Sequence, residues 1–475
     1  MQQRLIFHVD VNSAFLSWEA ARRVAAGEPD LRAIPSAIGG DRDKRTGIIL
    51  AKSIPAKKFG VTTGEPVGMA LRKCPQLVLA PPDFALYTRN SRAFIAICRR
   101  FAPVVEQVSI DECFLDMTGT HLLYPDPLAV AHQIKDAIFS ELGFTVNVGI
   151  SENKLLSKMA SDFEKPDKVH TLFPAEIPQK LWPLPVGDLL SVGRALAEKL
   201  TAARIRTIGD LARTDLAYLQ KLTGVRTAAL LHDYACGVDP SPVLAEPEAV
   251  KCYGNSTTLE QDVTTIPQAN QVLLALCDSV AARLRADGRR CLCLTVTIRG
   301  SDFKNHSHQR RLPEPSDVTQ ELYACAKSLF AEFWDGRPLR LLGVTLSDLT
   351  DGQTQQLSLF SDEKRDRARK LDQAVDQLRG KFGPAAISRG PLTPRYLKKA
   401  AGAIPAPAAC FMLRSASPES FYRKHQNLPP AVSSPIHRLY HSASHTLPAA
   451  SNENRRDCQN PLLAASLSVP EMLPL

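Results

Sequence analysis

The alternation of strand-like and helical patterns between residues 251 and 350 most limits what this chain can fold into. Four segments have the short apolar or alternating pattern of strands: "CYGNSTTL", "CLCLTVTIRG", "HSHQRRL" and "LRLLGVTLSDL". Two longer segments between them have the pattern of helices: "ANQVLLALCDSVAARLRADG" and "SDVTQELYACAKSLFAEFW". The order βαββαβ predicts a compact α+β unit of about 100 residues.

The rest of the chain predicts further domains around that unit. At 475 residues the chain exceeds one hydrophobic core and suggests about three domains. The strand candidates "RLIFHVDV", "VVEQVSIDECFLDM" and "FTVNVGIS" precede short helices over residues 188–240. Asn12 or Ser13 is expected to cap the helix that follows the first strand. The sequence therefore predicts a multidomain α+β protein.

Three acidic residues stand in or beside apolar strand candidates. Asp10 ends "RLIFHVDV", whereas Asp111 and Glu112 interrupt "VSIDECFLD". Neighbouring residues of a regular strand point to opposite faces, so Asp111 and Glu112 share a site only where the strand turns or bulges. Buried together, such carboxylates need a cation, which could be Lys, Arg or Mg²⁺. The alternative is that Asp111 and Glu112 are solvated residues of a hairpin turn.

Lysines flank the same strand candidates. Lys57 and Lys58 lie in "AKSIPAKKFG", and Lys165 lies in "FEKPD". Such cations could neutralise a triphosphate that carries metal ions into the site. Two ions about 4 Å apart could then clamp the attacking and leaving oxygens of a phosphoryl displacement. The alternative for each lysine is a solvated basic surface.

Composition adds constraints on partners and location. Lys and Arg outnumber Asp and Glu by 58 to 49, which suits a polyanionic partner, although many proteins are equally basic. The 11 cysteines lack zinc-site spacing and are expected to be reduced core residues. No secretory leader and no apolar run of about 18 residues is present, so we expect a cytoplasmic protein without a membrane span.

Several motifs occur in the order and spacing typical of one enzyme family: "HVDVNSAF", "AKSIPAKKFGV", "VSIDECFLD", "VGISENKLLSKMASDFEKPD" and "VGRALAEKLTAARIRTIGDLA". On these motifs, roughly residues 1–390 resemble the Y-family translesion DNA polymerases, in particular the DNA polymerase IV branch. The resemblance implies a right-hand polymerase with a ferredoxin-like palm, small fingers, a helical thumb and a βαββαβ little finger domain. The implied segments are palm 1–12 and 81–170, fingers 13–80, thumb 171–240, linker 241–250, little finger 251–350, clamp-binding peptide and helix 351–395, and disordered tail 396–475.

The resemblance also implies roles for the acids. Asp10 and Asp111 would hold two Mg²⁺ ions, Glu112 would complete the site of the ion that activates the primer 3′-hydroxyl, and the Val11 carbonyl would add a ligand. The hydroxyl would attack the α-phosphate of a deoxynucleotide, so catalysis would be mostly positioning and charge neutralisation. Phe15 matches the steric gate that excludes a ribonucleotide's 2′-hydroxyl. Without the family, Phe15 reads as a core residue of its helix.

Three positions depart from the commonest pattern of that family. Asn12 stands where many relatives carry Asp, Ile54 where a triphosphate-contacting Tyr is usual, and Lys57 where Arg often binds phosphate. Lys57 keeps the charge but loses the bidentate geometry of Arg. Lys57 and Lys165 are still the candidates for triphosphate binding. We expect that binding to be weaker or differently arranged.

DNA-contacting residues are predicted in the thumb and the little finger. The segment "SVGRALAEKL" resembles a helix-hairpin-helix, in which backbone N–H groups bind DNA phosphates. Gly193 is the one usual glycine present there, and a plain helical turn is the alternative. The basic residues of the βαββαβ unit would track the DNA backbone, or contact only water; they are Arg289, Arg290, Arg299, Lys304, Arg310 and Arg311.

The peptide "QLSLF" resembles the one with which bacterial replication proteins bind the sliding clamp. Its candidate contacts are Gln356, Leu357, Leu359 and Phe360, which suit a peptide that anchors in an apolar pocket. The alternative is that the apolar residues pack back on their own domain. After them, the last 75 residues carry ten of the 35 prolines and no sustained periodicity, which predicts disorder.

Together these features predict a monomeric, template-directed DNA polymerase of the translesion type in a bacterial cytoplasm, nucleoid-associated when acting. Its partners would be primer-template DNA, deoxynucleoside triphosphates and the clamp. No segment is left for a proofreading exonuclease. One alternative is a non-catalytic DNA-binding adaptor, although such relatives tend to lose the metal carboxylates. Another is a two-metal nuclease, against which Phe15 and the lysines argue.

Overall fold

The computed structural model describes residues 4–41, 47–351, 363–383 and 386–389. Strands run over these residues: β1 Ile6–Val11, β2 Ser36–Gly39, β3 Ile49–Lys52, β4 Val78–Ala80, β5 Val104–Gln107, β6 Glu112–Asp116, β7 Val146–Ser151, β8 Val169–Thr171, β9 Tyr253–Val263, β10 Arg289–Gly300, β11 Asn305–Ser316 and β12 Leu339–Asp351. Helices run over these: α1 Ala14–Ala25, α2 Ile54–Lys58, α3 Val67–Lys73, α4 Phe84–Phe101, α5 Pro127–Leu142, α6 Lys154–Ser161, α7 Ile177–Lys180, α8 Arg194–Ala202, α9 Ile208–Arg213, α10 Leu216–Thr223, α11 Val225–Ala235, α12 Ile266–Ala286, α13 Thr319–Phe333 and α14 Glu363–Phe382.

The first sheet has the strand order β5-β6-β1-β7-β8, with β1 at its centre. β1 pairs antiparallel with both β6 and β7, and its alternate residues Phe7 and Val9 are fully buried. Helices α1, α4 and α5 cover that side, where Trp18 and Phe94 belong to the same apolar core. The other side of β1 carries His8 and Asp10 and faces α6. This side is polar toward Asp10, whereas Ile6 and Phe114 belong to a small apolar cluster on it.

The start of α1 differs from the expectation that Asn12 or Ser13 caps it. Ser13 occupies the N-cap position with φ 48°, but its side chain makes no capping hydrogen bond. The side-chain capping prediction is wrong because the Asn12 amide is used elsewhere: it donates to Asn147 Oδ1 at 3.0 Å and accepts from the Asp167 N–H at 3.0 Å. Instead, the Ser17 hydroxyl donates to the Asn12 carbonyl at 2.5 Å.

The second sheet confirms the predicted βαββαβ unit. Its order is β11-β10-β12-β9, with antiparallel pairing throughout, and α12 and α13 pack on one face. The inward residues Leu294, Val296 and Ile298 of β10 alternate with less buried ones, as period-2 patterning requires. Helix α14 lies against α12, where the Arg285 side chain pairs with Asp372 and Asp376.

Two smaller units complete the described chain. The small sheet β3-β2-β4 shares an apolar cluster with α2 and α3, and helices α7 to α11 share another with α6. Helix α1, which was assigned to the predicted fingers 13–80, packs into the core of the first sheet. The boundary between palm and fingers at residue 13 stays a prediction, as do the other domain boundaries. Within the described residues, no helix is long and apolar enough to cross a membrane.

Candidate active site

The three predicted acids converge at one end of the first sheet. The apolar stretch that contains Asp111 and Glu112 is two strands, β5 and β6, joined by a turn over residues 108–111. Asp111 lies in that turn, and Glu112 is the first residue of β6, directly opposite Asp10 on β1. The Val11 N–H donates to the Asp111 carbonyl at 2.9 Å, which ties the turn to the end of β1. The break in the strand therefore lets the neighbouring acids share a site.

Lysines contribute the cations of this site. Lys158 on α6 places its Nζ 2.8 Å from Glu112 Oε2 and 3.2 Å from Asp10 Oδ2. Lys165, which the sequence predicted, places its Nζ 3.2 Å from Asp10 Oδ1. The Lys158 side chain is only 18% exposed, so its ammonium is an integral counter-ion of the two acids rather than a solvated surface charge.

The carboxyl groups differ in their ionisation. Burial, and then the charge of Asp10, raises the pKa of Asp111 to about 7. Burial alone would also raise the pKa of Glu112, but hydrogen bonding to His8 and the charge of Lys158 lower it well below its usual value. Burial would lower the pKa of Lys158, yet Asp10 and Glu112 raise it well above normal. Glu112 is therefore an anion at neutral pH. At Asp111, by contrast, the nearby positive charge does not offset the effect of burial on the carboxyl group.

These residues fit a divalent cation. Carboxylate oxygens are the donors that Mg²⁺ prefers, and the side-chain hydrogen bond at Asp111 is from the neutral Ser109 hydroxyl at 2.5 Å. A buried acid with a raised pKa beside two other acids lacks positive charge, which a metal ion supplies. No group of three or more His, Cys, Asp or Glu side chains in the described part of the chain is already arranged as a ligand cluster. Lys158 stands between two of the acids instead.

Phe15 lies in the first turn of α1, within an aromatic cluster. It is 6% exposed, and its ring stacks on Tyr87 at 4.6 Å between centroids and 21° between planes. The ring of Phe84 meets it edge-on at 6.4 Å, and Trp18 lies at 6.0 Å. Burial raises the pKa of Tyr87 to about 12, so the phenol beneath Phe15 stays neutral. The gate role of Phe15 stays a prediction, because its surroundings also suit a core residue.

The positions that depart from the family pattern lie in two places. Asn12 is 7% exposed and holds the loop that leads to Lys165 through its bond to the Asp167 N–H, which is a structural role. Ile54 begins α2 and is 54% exposed, and Lys57 lies in the last turn of the same helix. Lys58 follows it there.

The predicted DNA-contacting residues are divided between surfaces. Gly193 is the N-cap of α8, and its carbonyl accepts from the N–H groups of Leu196 and Ala197 at 3.0 and 2.9 Å. Arg310 lies opposite Leu294 and contacts Ser328 and Glu332 on α13, so it belongs to the helix-covered side.

Other arginines lie elsewhere on the second sheet. Arg311 follows Arg310 along β11, and Arg299 follows the buried Ile298, so both point to the uncovered face. Arg289 pairs with Asp351 beside it. Burial, and then the charge of Arg369, lowers the pKa of Arg290. Lys304 lies in the turn between β10 and β11. The clamp-peptide candidates at 356–360 and the tail prediction for 396–475 lie outside the described residues.

Lys158 and His8 are site residues that the sequence analysis missed. Each had a local signal: His8 precedes Asp10 by two residues on a strand and therefore shares its face. Lys158 is one helical turn after Lys154, on a helix that directly follows β7. His8 places its Nε2 3.3 Å from Glu112 Oε2, and its ring is fully buried.

Comparisons with known proteins agree with the motifs. A model of the impB/mucB/samB family matches residues 9–162, and the model of that family's C-terminal domain matches 250–359. A model described as "DNA polymerase-iota, thumb domain" matches 187–239. DNA polymerase IV of Clostridium acetobutylicum is 44% identical over 390 residues, covering 82% of this chain and 98% of that protein.

A second relative and a solved structure extend the agreement. DNA polymerase IV 1 of Bacillus subtilis is 36% identical over 394 residues, covering 82% of this chain and 93% of the relative. The solved structure of the Y-family DNA polymerase chimera Dbh-Dpo4(243-245)-Dbh is similar with a TM-score of 0.64 and 23% identity, covering 72% of this chain and 98% of that one. This likeness confirms the predicted α+β multidomain polymerase fold. The chain therefore belongs to the Y-family of DNA polymerases, in its DNA polymerase IV branch.

Proposed function

We propose that this chain is a template-directed DNA polymerase of the translesion type that extends a primer 3′-hydroxyl at the site of Asp10, Asp111 and Glu112. One observation carries the proposal. Acids from two distant parts of the sequence meet at a sheet end where Lys158 and Lys165 supply positive charge. Anionic phosphates and divalent cations are the ligands that such a mixed-charge site can neutralise.

Asp10, Asp111, Glu112 and the Val11 carbonyl would hold two Mg²⁺ ions. When bound, these ions lower the pKa of the primer hydroxyl and neutralise charge on the transferred and leaving phosphates. Glu112 is suited to its part because it is an anion whose carboxylate is held in place by Lys158. Asp111, whose pKa is raised to about 7, must lose its proton before it can serve as a ligand.

Lys57 and Lys165 are proposed to bind the triphosphate of the incoming nucleotide. Lys165 lies beside Asp10 and is 36% exposed, so its ammonium can reach both the acid and a bound phosphate. Lys57 offers a point charge without the two-pronged geometry of Arg, and the exposed Ile54 offers no hydrogen bond. Phe15 would select the sugar by placing its ring where a 2′-hydroxyl would clash.

The remaining parts of the proposal concern partners. The predicted contacts for primer-template DNA are Arg289, Arg290, Arg299, Arg310, Arg311 and Gly193. Among the arginines of β10 and β11, Arg299 and Arg311 are best placed for such contacts. The chain would act as a monomer in a bacterial cytoplasm, at the nucleoid. The peptide "QLSLF" would anchor the chain to the sliding clamp through Gln356, Leu357, Leu359 and Phe360. The support for this contact is the sequence motif.

Primer extension tests the proposal. With Mg²⁺, a primed template and all four deoxynucleotides, we expect Asp111→Ala to lose activity by a factor of about 10³ or more, because a metal ligand is removed. Asp136→Ala is the matched control, since this acid on α5 is 70% exposed and forms an ion pair with its neighbour Lys135. Equal extension by Asp111→Ala and wild type would refute the metal assignment. Degradation of DNA without nucleotides would favour a nuclease.

A further inference from the structure

His8 is a fully buried side chain at the centre of the first sheet, directly behind the acids. On β1 it lies two residues before Asp10 and opposite Phe114 of β6, whose ring is 4.8 Å from its own between centroids. It therefore shares a face with Asp10 and Glu112, and α6 packs over that face. A polar ring at such a place needs hydrogen-bond partners for both nitrogens.

Among the residues that the structure describes, each ring nitrogen of His8 faces one polar side chain. Nδ1 lies 2.8 Å from the Ser161 hydroxyl on α6, and that hydroxyl also lies 2.8 Å from the Lys158 carbonyl. Nε2 lies 3.3 Å from Glu112 Oε2. Without a hydrogen on Nε2, its lone pair would oppose those of the carboxylate in a buried place, which is repulsive. The neutral ring has a single N–H, so Nε2 carries it and turns it toward Glu112 at 3.3 Å, while Nδ1 accepts from the Ser161 hydroxyl.

We propose that His8, oriented by Ser161, is a positioning residue that holds the Glu112 carboxylate in its metal-binding orientation. His8 Nε2 and Lys158 Nζ both approach Oε2, at 3.3 and 2.8 Å. No described residue donates a hydrogen bond to Oε1, so that oxygen is the one presented to a ligand. The inference rests on the proposed function, because it assigns His8 to the same metal site.

Two-sided contact at one oxygen restricts the carboxylate more than a single ion pair does. Lys158 alone has a flexible stem and also pairs with Asp10 and, at 3.6 Å, with Asp162, so it can move between acids. The His8 ring is fixed by Phe114 on one side and Ser161 on the other. Outer-sphere donors of this kind orient ligands, and their loss costs about 10–100-fold in metal affinity.

Metal binding without turnover tests this role. Mn²⁺ is titrated into DNA-free and nucleotide-free protein, and free Mn²⁺ is followed by electron paramagnetic resonance. We expect His8→Leu, which keeps apolar volume but lacks the donor, to bind Mn²⁺ about 10-fold more weakly or worse. His8→Gln can place an amide N–H near the Nε2 position and should recover most of the affinity. Ser161→Ala, which frees the ring, should fall between them.

Controls separate positioning from folding. His170→Leu removes another imidazole, on β8, whose ring contacts Phe163 at 6.0 Å and lies three strands away from β6. It should bind Mn²⁺ like wild type, and the melting temperature of every variant is measured without metal. The proposal is overturned if His8→Leu keeps wild-type Mn²⁺ affinity. It is also overturned if His8→Gln and His8→Leu lose equal affinity while both remain folded. Full Mn²⁺ binding by His8→Leu together with inactive Asp111→Ala would leave the polymerase proposal standing.

Discussion

At the scale of single residues, the unequal ionisation of the acids has a measurable effect on stability. The pKa of Asp111 is raised in the folded protein to about 7, from an ordinary value of about 3.9 in an unfolded chain. Folding therefore favours the protonated acid, so the stability that wild type has at pH 4 is lost as pH rises toward 7 and stays lost above it. A neutral isostere at this position escapes that loss.

Asp111→Asn tests the sign of this effect in metal-free protein. We expect the variant and wild type to melt alike near pH 4, and the variant to melt several degrees higher at pH 8, since each unit of pKa shift is worth about 1.4 kcal/mol. Calorimetry in a chelating buffer measures the difference. Adding Mg²⁺ at pH 8 should raise the melting temperature of wild type more than that of Asp111→Asn. A variant that melts lower than wild type at pH 8 would contradict the prediction.

Phe15 provides a second test at this scale. Replacing the ring by Val removes the bulk that would meet a 2′-hydroxyl, so we expect Phe15→Val to raise ribonucleotide incorporation by a factor of about 10² or more, which is about 2.7 kcal/mol of discrimination. Single-nucleotide insertion with matched ribo- and deoxynucleotides measures this ratio. Because Phe15 stacks on Tyr87, Phe84→Val serves as the control for loosening of the same cluster. An equal change of sugar preference in both variants would refute the gate.

Sequence patterns located the acids of the site but only part of what holds them. Asp10, Asp111 and Glu112 could be predicted because acids in or beside apolar strands are costly to bury and therefore conspicuous. For His8 and Lys158 the sequence offers only a weak local signal, because their role depends on which face of α6 meets which face of β1. A lysine on a helix reads as a surface residue until that packing is known.

At the scale of elements, Gly149 sets how closely α6 approaches the first sheet. It lies on β7 directly opposite His8, and a Cβ there would be 2.0 Å from the Ser157 carbonyl oxygen and 2.5 Å from the Ser161 nitrogen. Both are backbone atoms of α6, which cannot turn aside as a flexible side chain can. The missing side chain therefore lets α6 bring Lys158 to the acids and Ser161 to His8.

Gly149→Ala is expected to push α6 outward. The shift should weaken the contact of Lys158 with the acids and that of Ser161 with His8. Overpacking of this kind lowers the free energy of unfolding by about 1–3 kcal/mol or more. Polymerase activity should also fall, because Lys158 would no longer lie within ion-pair distance of Asp10 and Glu112. Thermal unfolding and primer extension measure the two effects. Gly380→Ala on α14 is the matched control, since nothing lies within 4 Å of its added Cβ. Wild-type stability and activity in Gly149→Ala would contradict this role.

Helix α14 shows which part of an element its sequence predicts. Its helical state follows from the residue pattern, but the side that it buries is charged. Asp372 is 2% exposed and pairs with Arg285, which is 5% exposed, and with Arg389. Its Oδ2 also accepts from the Thr319 N–H at 2.8 Å. Burial of charges is stable only with such matched partners. These partners lie 87, 53 and 17 positions away from Asp372 along the chain, which local periodicity does not contain.

At the scale of the whole molecule, the formal net charge of +9 gives affinity for a polyanion but does not say which surface meets it. Counting arginines put Arg310 and Arg311 together, and the register of β11 separates them. Arg310 lies opposite the buried Leu294 and turns to Glu332 on α13. Arg311 and Arg299 point to the face opposite the one on which α12 and α13 pack. The order of strands and helices could be predicted from the sequence, but this division required the pairing of β10 with β11.

Salt dependence of DNA binding tests that division. Each phosphate contact contributes about one to the slope of log affinity against log salt concentration. We therefore expect Arg311→Ala and Arg299→Ala each to reduce the slope by about one, measured by fluorescence anisotropy with a labelled primer-template. Arg310→Ala is the control, because its side chain turns to the helix-covered side, and its slope should match wild type. An ion pair alone does not distinguish the two residues, since Arg311 pairs with Asp348. A slope change for Arg310→Ala that equals or exceeds the change for Arg311→Ala would mean that DNA lies along the β11 edge, not on the open face.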